Sequence, residues 1–171
     1  RGSQYMIFAT VGTATQDFGR LISAMDLLVG HDLVKERSVF IQTGHTNSVK
    51  PKNFEFEPFL SVEKFERLME EAEIIVCHGG STTTIHALRL GKTPVVMPRR
   101  KKFDEHVNDH QMDLVQAMAA EGWIVPVYEA EELPAAIGEV LEKKDQKIEP
   151  QSSQMAQLID AAIVELIGLR R

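Results

Sequence analysis

The stretch His78-Gly79-Gly80-Ser81-Thr82-Thr83-Thr84 has the residue types and spacing most suited to chemistry. Paired glycines let backbone N–H groups approach an anion closely. A helix opening behind them adds favourable partial charge, and the hydroxyls add donors. That combination suits a diphosphate. No Gly-Lys-Ser/Thr follows and the G-x-G-x-x-G spacing is absent, so it is neither a Walker A loop nor the dinucleotide fingerprint. The plain alternative is an ordinary turn before a well-capped helix. Gly12-Thr13 could form a second backbone cradle, or a simple strand-to-helix turn in which Thr13, Thr15 and Gln16 act as caps.

Two further clusters stand out. His106 and His110 are four apart and would share a face if one helix carried both. That spacing can serve zinc, but Val107 stands where a metalloprotease places Glu, and no third ligand is marked. A polar helix start that hydrogen-bonds a sugar fits better, because Asp109, His110 and Gln111 offer both donors and acceptors. The run Arg99-Arg100-Lys101-Lys102 reads as a solvated loop, or as an attraction for a phosphate or an anionic membrane surface. Cys77 ends an apolar run and reads as core. It cannot pair with His78 as a nucleophile, since neighbours on a strand point to opposite faces.

These residues sit at the ends of short apolar strands. Expected strands are Met6 to Val11, Ser38 to Thr43, a brief one near Phe54 and Phe56, Glu73 to Cys77, Thr93 to Met97, and Ile124 to Val127. Between them lie helical stripes: Phe18 to Leu28, Val62 to Ala72 behind the N-cap Ser61, Thr82 to Leu90, His106 to Ala120, and Glu131 to Glu142. A polar linker and a final amphipathic helix, 153–169, follow. Such alternation predicts an α/β fold, a Rossmann-like open parallel sheet with helices on both faces. Ligands in such sheets bind beyond the carboxyl ends of the strands, where the clusters above fall.

The chain has 171 residues, net charge −6, 43% hydrophobic residues and one cysteine. These values fit one soluble domain, residues 6–171, in a reducing compartment. Residues 1–5 read as a cloning remnant or unstructured start. The acidic balance argues against a general nucleic-acid binder, and no apolar run approaches the ~20 residues of a membrane span. The length is short for an enzyme that clamps two substrates, which raises the expectation of a partner.

The stretch from His78 to Gln111, HGGSTTTIHALRLGKTPVVMPRRKKFDEHVNDHQ, resembles the C-terminal, donor-binding half of GT-B glycosyltransferases of the MurG type, family 28. It is most similar to small soluble subunits of split enzymes, such as the PssE type of capsule and exopolysaccharide synthesis. The start MIFATVGT and the Gln-Thr-Gly at Gln42 to Gly44 look alike too, and the likeness runs from Met6 to about Val127. The resemblance implies a UDP-sugar donor, inverting transfer to a lipid-linked acceptor, and no cofactor or obligatory metal. It also implies a membrane-anchored, acceptor-binding partner of the PssD type, and a cytoplasmic location at the inner face of the membrane. Gly79, Gly80 and Ser81, with Thr82 and Thr83, would hold the diphosphate beside His78. Gly12 and Thr13 would lie across the cleft. Asp109, His110 and Gln111 would contact the sugar, and the uracil would rest near Phe59-Leu60. Family members commonly carry a ribose-binding carboxylate where this chain has His86, which keeps a non-catalytic enhancer subunit open as an alternative. The general base would come largely from the other half, with His106 and His110 as candidates here.

Overall fold

The computed structural model describes residues 5–145, and the stretch expected as a helix at 153–169 lies outside them. The six strands are β1 (Tyr5–Thr10), β2 (Arg37–Gln42), β3 (Glu55–Glu57), β4 (Ile74–His78), β5 (Val95–Met97) and β6 (Val125–Pro126). They form one sheet in the order β3-β2-β1-β4-β5-β6, and every pairing is parallel. The helices are α1 (Gly19–Asp26), α2 (Val62–Glu71), α3 (Ser81–Arg89), α4 (His110–Ala120) and α5 (Leu133–Asp145).

The period of two along each strand divides the core between the sheet's faces. Ile7, Ala9, Val11, Ile74, Val76, Val95 and Met97 pack with α1 and α5. Phe8, Ile75, Cys77 and Val96 pack with α2, α3 and α4 on the other side. Near-continuous apolar strands are what burial on both faces demands. Cys77 is fully buried, and burial pushes its thiol up to about 12, so it is an inert core residue as expected.

Local signals set the element ends. Ser61 accepts from Lys64 N at 3.2 Å and caps α2. Gly91 follows α3 with φ 71°, a left-handed turn that a glycine makes without strain. The Lys92 ammonium donates to the carbonyls of Met69, Glu70 and Ala72 at 2.5, 2.5 and 2.7 Å. It closes the C-terminus of α2, so the lysine of the Gly-Lys-x-Pro stretch has a structural task.

One helix departs from expectation. The run expected from His106 becomes helical only at His110, after a 3₁₀ turn at Lys101–Phe103 and an irregular stretch. The side chains of the intervening loop bind its own backbone instead. Asn108 N donates to His106 Nδ1 at 3.4 Å, and His110 N donates to Asn108 Oδ1 at 3.1 Å. His106 and His110 therefore do not share a helical face.

Candidate functional site

The strand order runs outward from β1 to β3 on one side and from β4 to β6 on the other. The reversal between β1 and β4 is a topological switch point, the place where open α/β sheets leave a crevice. Thr10 pairs with Cys77 at that junction, so the turns after β1 and β4 emerge side by side. Gly12-Thr13 and His78-Gly79-Gly80 are those two turns. The structure thus brings together residues 66 positions apart, Gly12 and His78, that each read as cradles.

Space is tight at all three glycines, and at Gly12 the backbone conformation favours glycine as well. Gly12 has φ 77°, and a Cβ there would lie 2.5 Å from His78 Cε1. A Cβ on Gly80 would lie 2.3 Å from His78 Nε2. The imidazole of His78 is therefore wedged between the two turns. Gly79 meets a different limit: its Cβ would stand 3.1 Å from Gln111 Cβ and 3.1 Å from Val115 Cγ2, where α4 crosses close to the turn.

Gly80 is the N-cap of α3 and no side chain caps that helix. The first N–H groups of a helix lack intrahelical partners, so this end presents donors and a positive partial charge to the crevice. Ser81 and Thr83 are half-buried and Thr82 is exposed beside it, whereas Thr84 is buried and its hydroxyl donates to Gly80 O at 2.9 Å. Thr13 is exposed at the mouth.

A buried polar frame holds the first turn. Thr10 Oγ1 donates to Gln42 Oε1 at 2.5 Å and accepts from Gly12 N at 3.1 Å. Gln42 Nε2 donates to Pro58 O at 2.7 Å and Gly12 O at 3.3 Å. Gly44, with φ 54°, leaves room for the Gly12 carbonyl, which a Cβ would approach to 2.4 Å.

The basic run is divided by the fold. Arg99 is 0% exposed, which corrects the solvated-loop reading for this residue. Its guanidinium donates to Val11 O at 2.7 Å, Gln16 O at 2.9 Å and Glu105 O at 3.1 Å, and it stacks 4.7 Å from the centre of the Phe18 ring. It pins the turn after β1 to the loop after β5. Arg100 is half-buried and reaches Glu129 at 3.4 Å, while Lys101 and Lys102 are exposed. A membrane or phosphate role is thus confined to the last three.

Asp109, His110 and Gln111 come up to the same turn. Asp109 Oδ1 accepts from Lys101 N at 2.9 Å, and Gln111 Oε1 accepts from Arg99 N at 3.1 Å. One oxygen of each braces the loop. His110 is exposed at the first position of α4, and His106 is half-buried. His86 lies farther along α3, and its Nε2 stands 3.1 Å from Glu66 Oε2 of α2. His45 and Phe59 meet edge to face at 4.9 Å beyond the ends of β2 and β3.

Among the described residues, His78 Nδ1 and Arg99 Nε are buried without a hydrogen-bond partner, and both belong to this site. Burial above all, helped by the Arg99 guanidinium, lowers the His78 pKa from 6.5 to about 4. The unfolded imidazole takes a proton near 6.5, the folded one only near 4. Stability is therefore fully present above pH 6.5 and falls as the pH drops toward 4. Thermal melting between pH 7 and 4.5 should show this slope, and His78→Gln should flatten it. An unchanged slope in the variant would assign it to other groups. Asp17, beside the first turn, is held down at about 2. Burial works against that, and the Ser48 hydroxyl and the N–H groups of Ser48, Asn47 and Gly19 outweigh it. Its contribution is present above pH 3.8 and lost as the pH falls through 2.

Sequence reasoning missed Arg20 and Glu105. The Arg20 guanidinium grips the Glu105 carboxylate through Nε and Nη2, both at 2.9 Å, and donates to Pro98 O and Tyr128 O. Nothing in spacing could reveal a pair 85 residues apart. No group of three or more His, Cys, Asp or Glu residues among the described residues could hold a metal. None of their helices is long and apolar enough to cross a membrane.

A six-stranded, all-parallel sheet with helices on both faces and a switch point between β1 and β4 is the Rossmann-like α/β fold of one half of the GT-B architecture. Solved structures share this fold. The glycotransferase of kitacinnamycin matches with TM-score 0.63 at 16% identity, over 92% of this chain and 38% of that one. The calicheamicin glycosyltransferase CalG4 matches with TM-score 0.60 at 11% identity, over 96% and 39%. Residues 6–167 match the family described as glycosyltransferase family 28 C-terminal domain, and the chain belongs to that family. The human UDP-N-acetylglucosamine transferase subunit ALG13 is 29% identical over 122 residues, 68% of this chain and 10% of that protein. A Bdellovibrio bacteriovorus enzyme is 32% identical over 99 residues, 54% of this chain and 28% of its own length. Its name is UDP-N-acetylglucosamine--N-acetylmuramyl-(pentapeptide) pyrophosphoryl-undecaprenol N-acetylglucosamine transferase. The chain thus spans a minor part of either relative.

Proposed function

We propose that this chain is the donor-binding part of an inverting glycosyltransferase that uses a UDP-sugar. The observation that carries the reading is the meeting of two glycine turns at the uncapped N-terminus of α3. Gly80, Ser81, Thr82 and Thr83 would present N–H and hydroxyl donors to the diphosphate, with Gly12 and Thr13 facing them. Asp109, His110 and Gln111 would meet the sugar. An acceptor hydroxyl attacks the anomeric carbon and gives its proton to a base, the anomeric carbon's bond to the diphosphate oxygen breaks, and the helix N-terminus stabilises the charge of the departing nucleoside diphosphate. Backbone donors and the helix end supply that stabilisation without a required metal.

The acceptor would be lipid-linked, and a second, membrane-anchored chain of the PssD type would bind it and provide most of the acid–base chemistry. Exopolysaccharide or capsule synthesis is the setting this reading assigns, at the cytoplasmic face of the membrane. The separate partner and the lipid-linked acceptor draw support from the two relatives, one named as a subunit and the other as acting on an undecaprenol-linked substrate.

A second reading, an enhancer subunit without a competent site, is favoured by His86, whose Nε2 is engaged by Glu66. Calorimetry of the purified chain with UDP-, GDP- and dTDP-sugars decides between them. Saturable binding of a UDP-sugar is expected. No binding of any nucleotide, alone or with the membrane partner, would sink the first reading.

A further inference from the structure

The loop between β5 and α4, residues 98–109, is braced from within and from α1. Glu105 is 4% exposed. Its carboxylate receives two N–H groups of Arg20 at 2.9 Å each and the Arg100 N–H at 3.0 Å, while its carbonyl accepts from Arg99 at 3.1 Å. Arg20 also holds Pro98 O at 2.8 Å and Tyr128 O at 2.9 Å, and its guanidinium lies 5.0 Å from the Phe103 ring centre. Two further bonds close the loop, Lys101 N to Asp109 and Arg99 N to Gln111. The carboxylate of Glu105 is thus the hub from which the backbone of 98–105 is fixed, and that backbone fixes Asp109 and Gln111. An exposed ion pair would be worth little, but a buried, bidentate one sets geometry.

We propose that Arg20 and Glu105 are a positioning pair for the Asp109–Gln111 segment, so that they set affinity for the sugar of a nucleoside-diphosphate sugar and leave affinity for the diphosphate alone. The inference rests on the donor-binding reading above. The glycine turns are built by β1, β4, Thr10 and Gln42, and neither Arg20 nor Glu105 bonds to Gly12, Gly79 or Gly80. Arg99 ties the turn after β1 to this loop through Val11 O and Gln16 O, but it takes only the carbonyl of Glu105, which a side-chain substitution keeps. Loosening the Glu105 carboxylate therefore shifts the sugar-facing groups and spares the diphosphate cradle.

The test is calorimetry of the full chain with UDP and with UDP-N-acetylglucosamine and UDP-glucose, in the wild type, Glu105→Gln and Arg20→Lys. The readout is the ratio of UDP-sugar to UDP dissociation constants, with melting temperature measured beside it. Glu105→Gln should raise the ratio about tenfold, the worth of one well-placed hydrogen bond to a sugar. Arg20→Lys keeps the charge but replaces the planar fork with a point ammonium, provides the reading if the glutamine variant does not fold, and should give a smaller rise. A ratio unchanged in the folded variants, or UDP and UDP-sugar weakened equally, would overturn the proposal and make the pair a structural brace. If the wild type binds neither UDP nor any UDP-sugar, the donor-binding reading fails and takes this one with it.

Discussion

Replacing Arg99 with methionine is expected to lower stability by about 3–5 kcal/mol, since three buried carbonyls lose their donor at once. Methionine fills a similar volume, so the loss comes from polar groups. The carbonyls of Val11, Gln16 and Glu105 would be left buried without their donor. Each such orphan costs about 1–3 kcal/mol. For a chain of this size the melting temperature should fall by roughly 8–15 °C. Lysine at this position should recover only part, because its single ammonium nitrogen lacks the two-nitrogen planar fork with which Arg99 reaches the carbonyls of Val11, Gln16 and Glu105 and stacks on Phe18. The control is Lys101→Ser with Lys102→Ser, two exposed sites, where a change within about 0.5 kcal/mol is expected. Thermal and urea unfolding measure both. A methionine variant melting within 2 °C of the wild type, roughly below 1 kcal/mol, would show that Arg99 is not the pin described here.

Gly80→Asp should separate binding from folding. Aspartate is a favoured N-cap, so the start of α3 gains a partner for its N–H groups. The same carboxylate occupies the place of the incoming diphosphate and repels it. Its Cβ also falls 2.3 Å from His78 Nε2, so the imidazole must leave its wedge. Like charges brought together cost several kcal/mol, which is about a hundredfold or more in affinity. The expected result is cooperative melting with UDP-sugar binding lost. Gly80→Ala, which adds bulk without charge, should lose about tenfold. If the aspartate variant binds as the wild type does, the diphosphate does not sit at this turn.

Much of the architecture could be read from the chain. Apolar runs of strand length, helical stripes and glycine stops placed all six strands and five helices to within a few residues, because each is a local signal. The exception, His106 to Asp109, shows the limit. Its composition allows a helix, but Asn108 and His106 bond the neighbouring backbone and hold the chain irregular until His110. The basic run shows a second limit. Four consecutive cations look equivalent in sequence, yet one of them is wholly buried and another half-buried.

The candidate site was legible where its parts are contiguous. His78 to Thr84 and Asp109 to Gln111 announce donors, acceptors and small residues in order. The meeting of the His78 turn with Gly12 follows from the strand order, since only a β1–β4 pairing sets the two turns side by side.

The sequence by itself determined the alternating elements, the glycine turns and the polar triplet, because backbone freedom, periodicity and hydrogen-bonding type are properties of residues and near neighbours. Tertiary structure alone decided that His78 fills the space between Gly12 and Gly80, that Arg99 is a buried pin, and that Arg20 grips Glu105. Those are contacts between groups up to 88 residues apart. A guanidinium or an imidazole carries no local mark of the partner that will desolvate it; the packing of α1, the sheet and the loop after β5 supplies that.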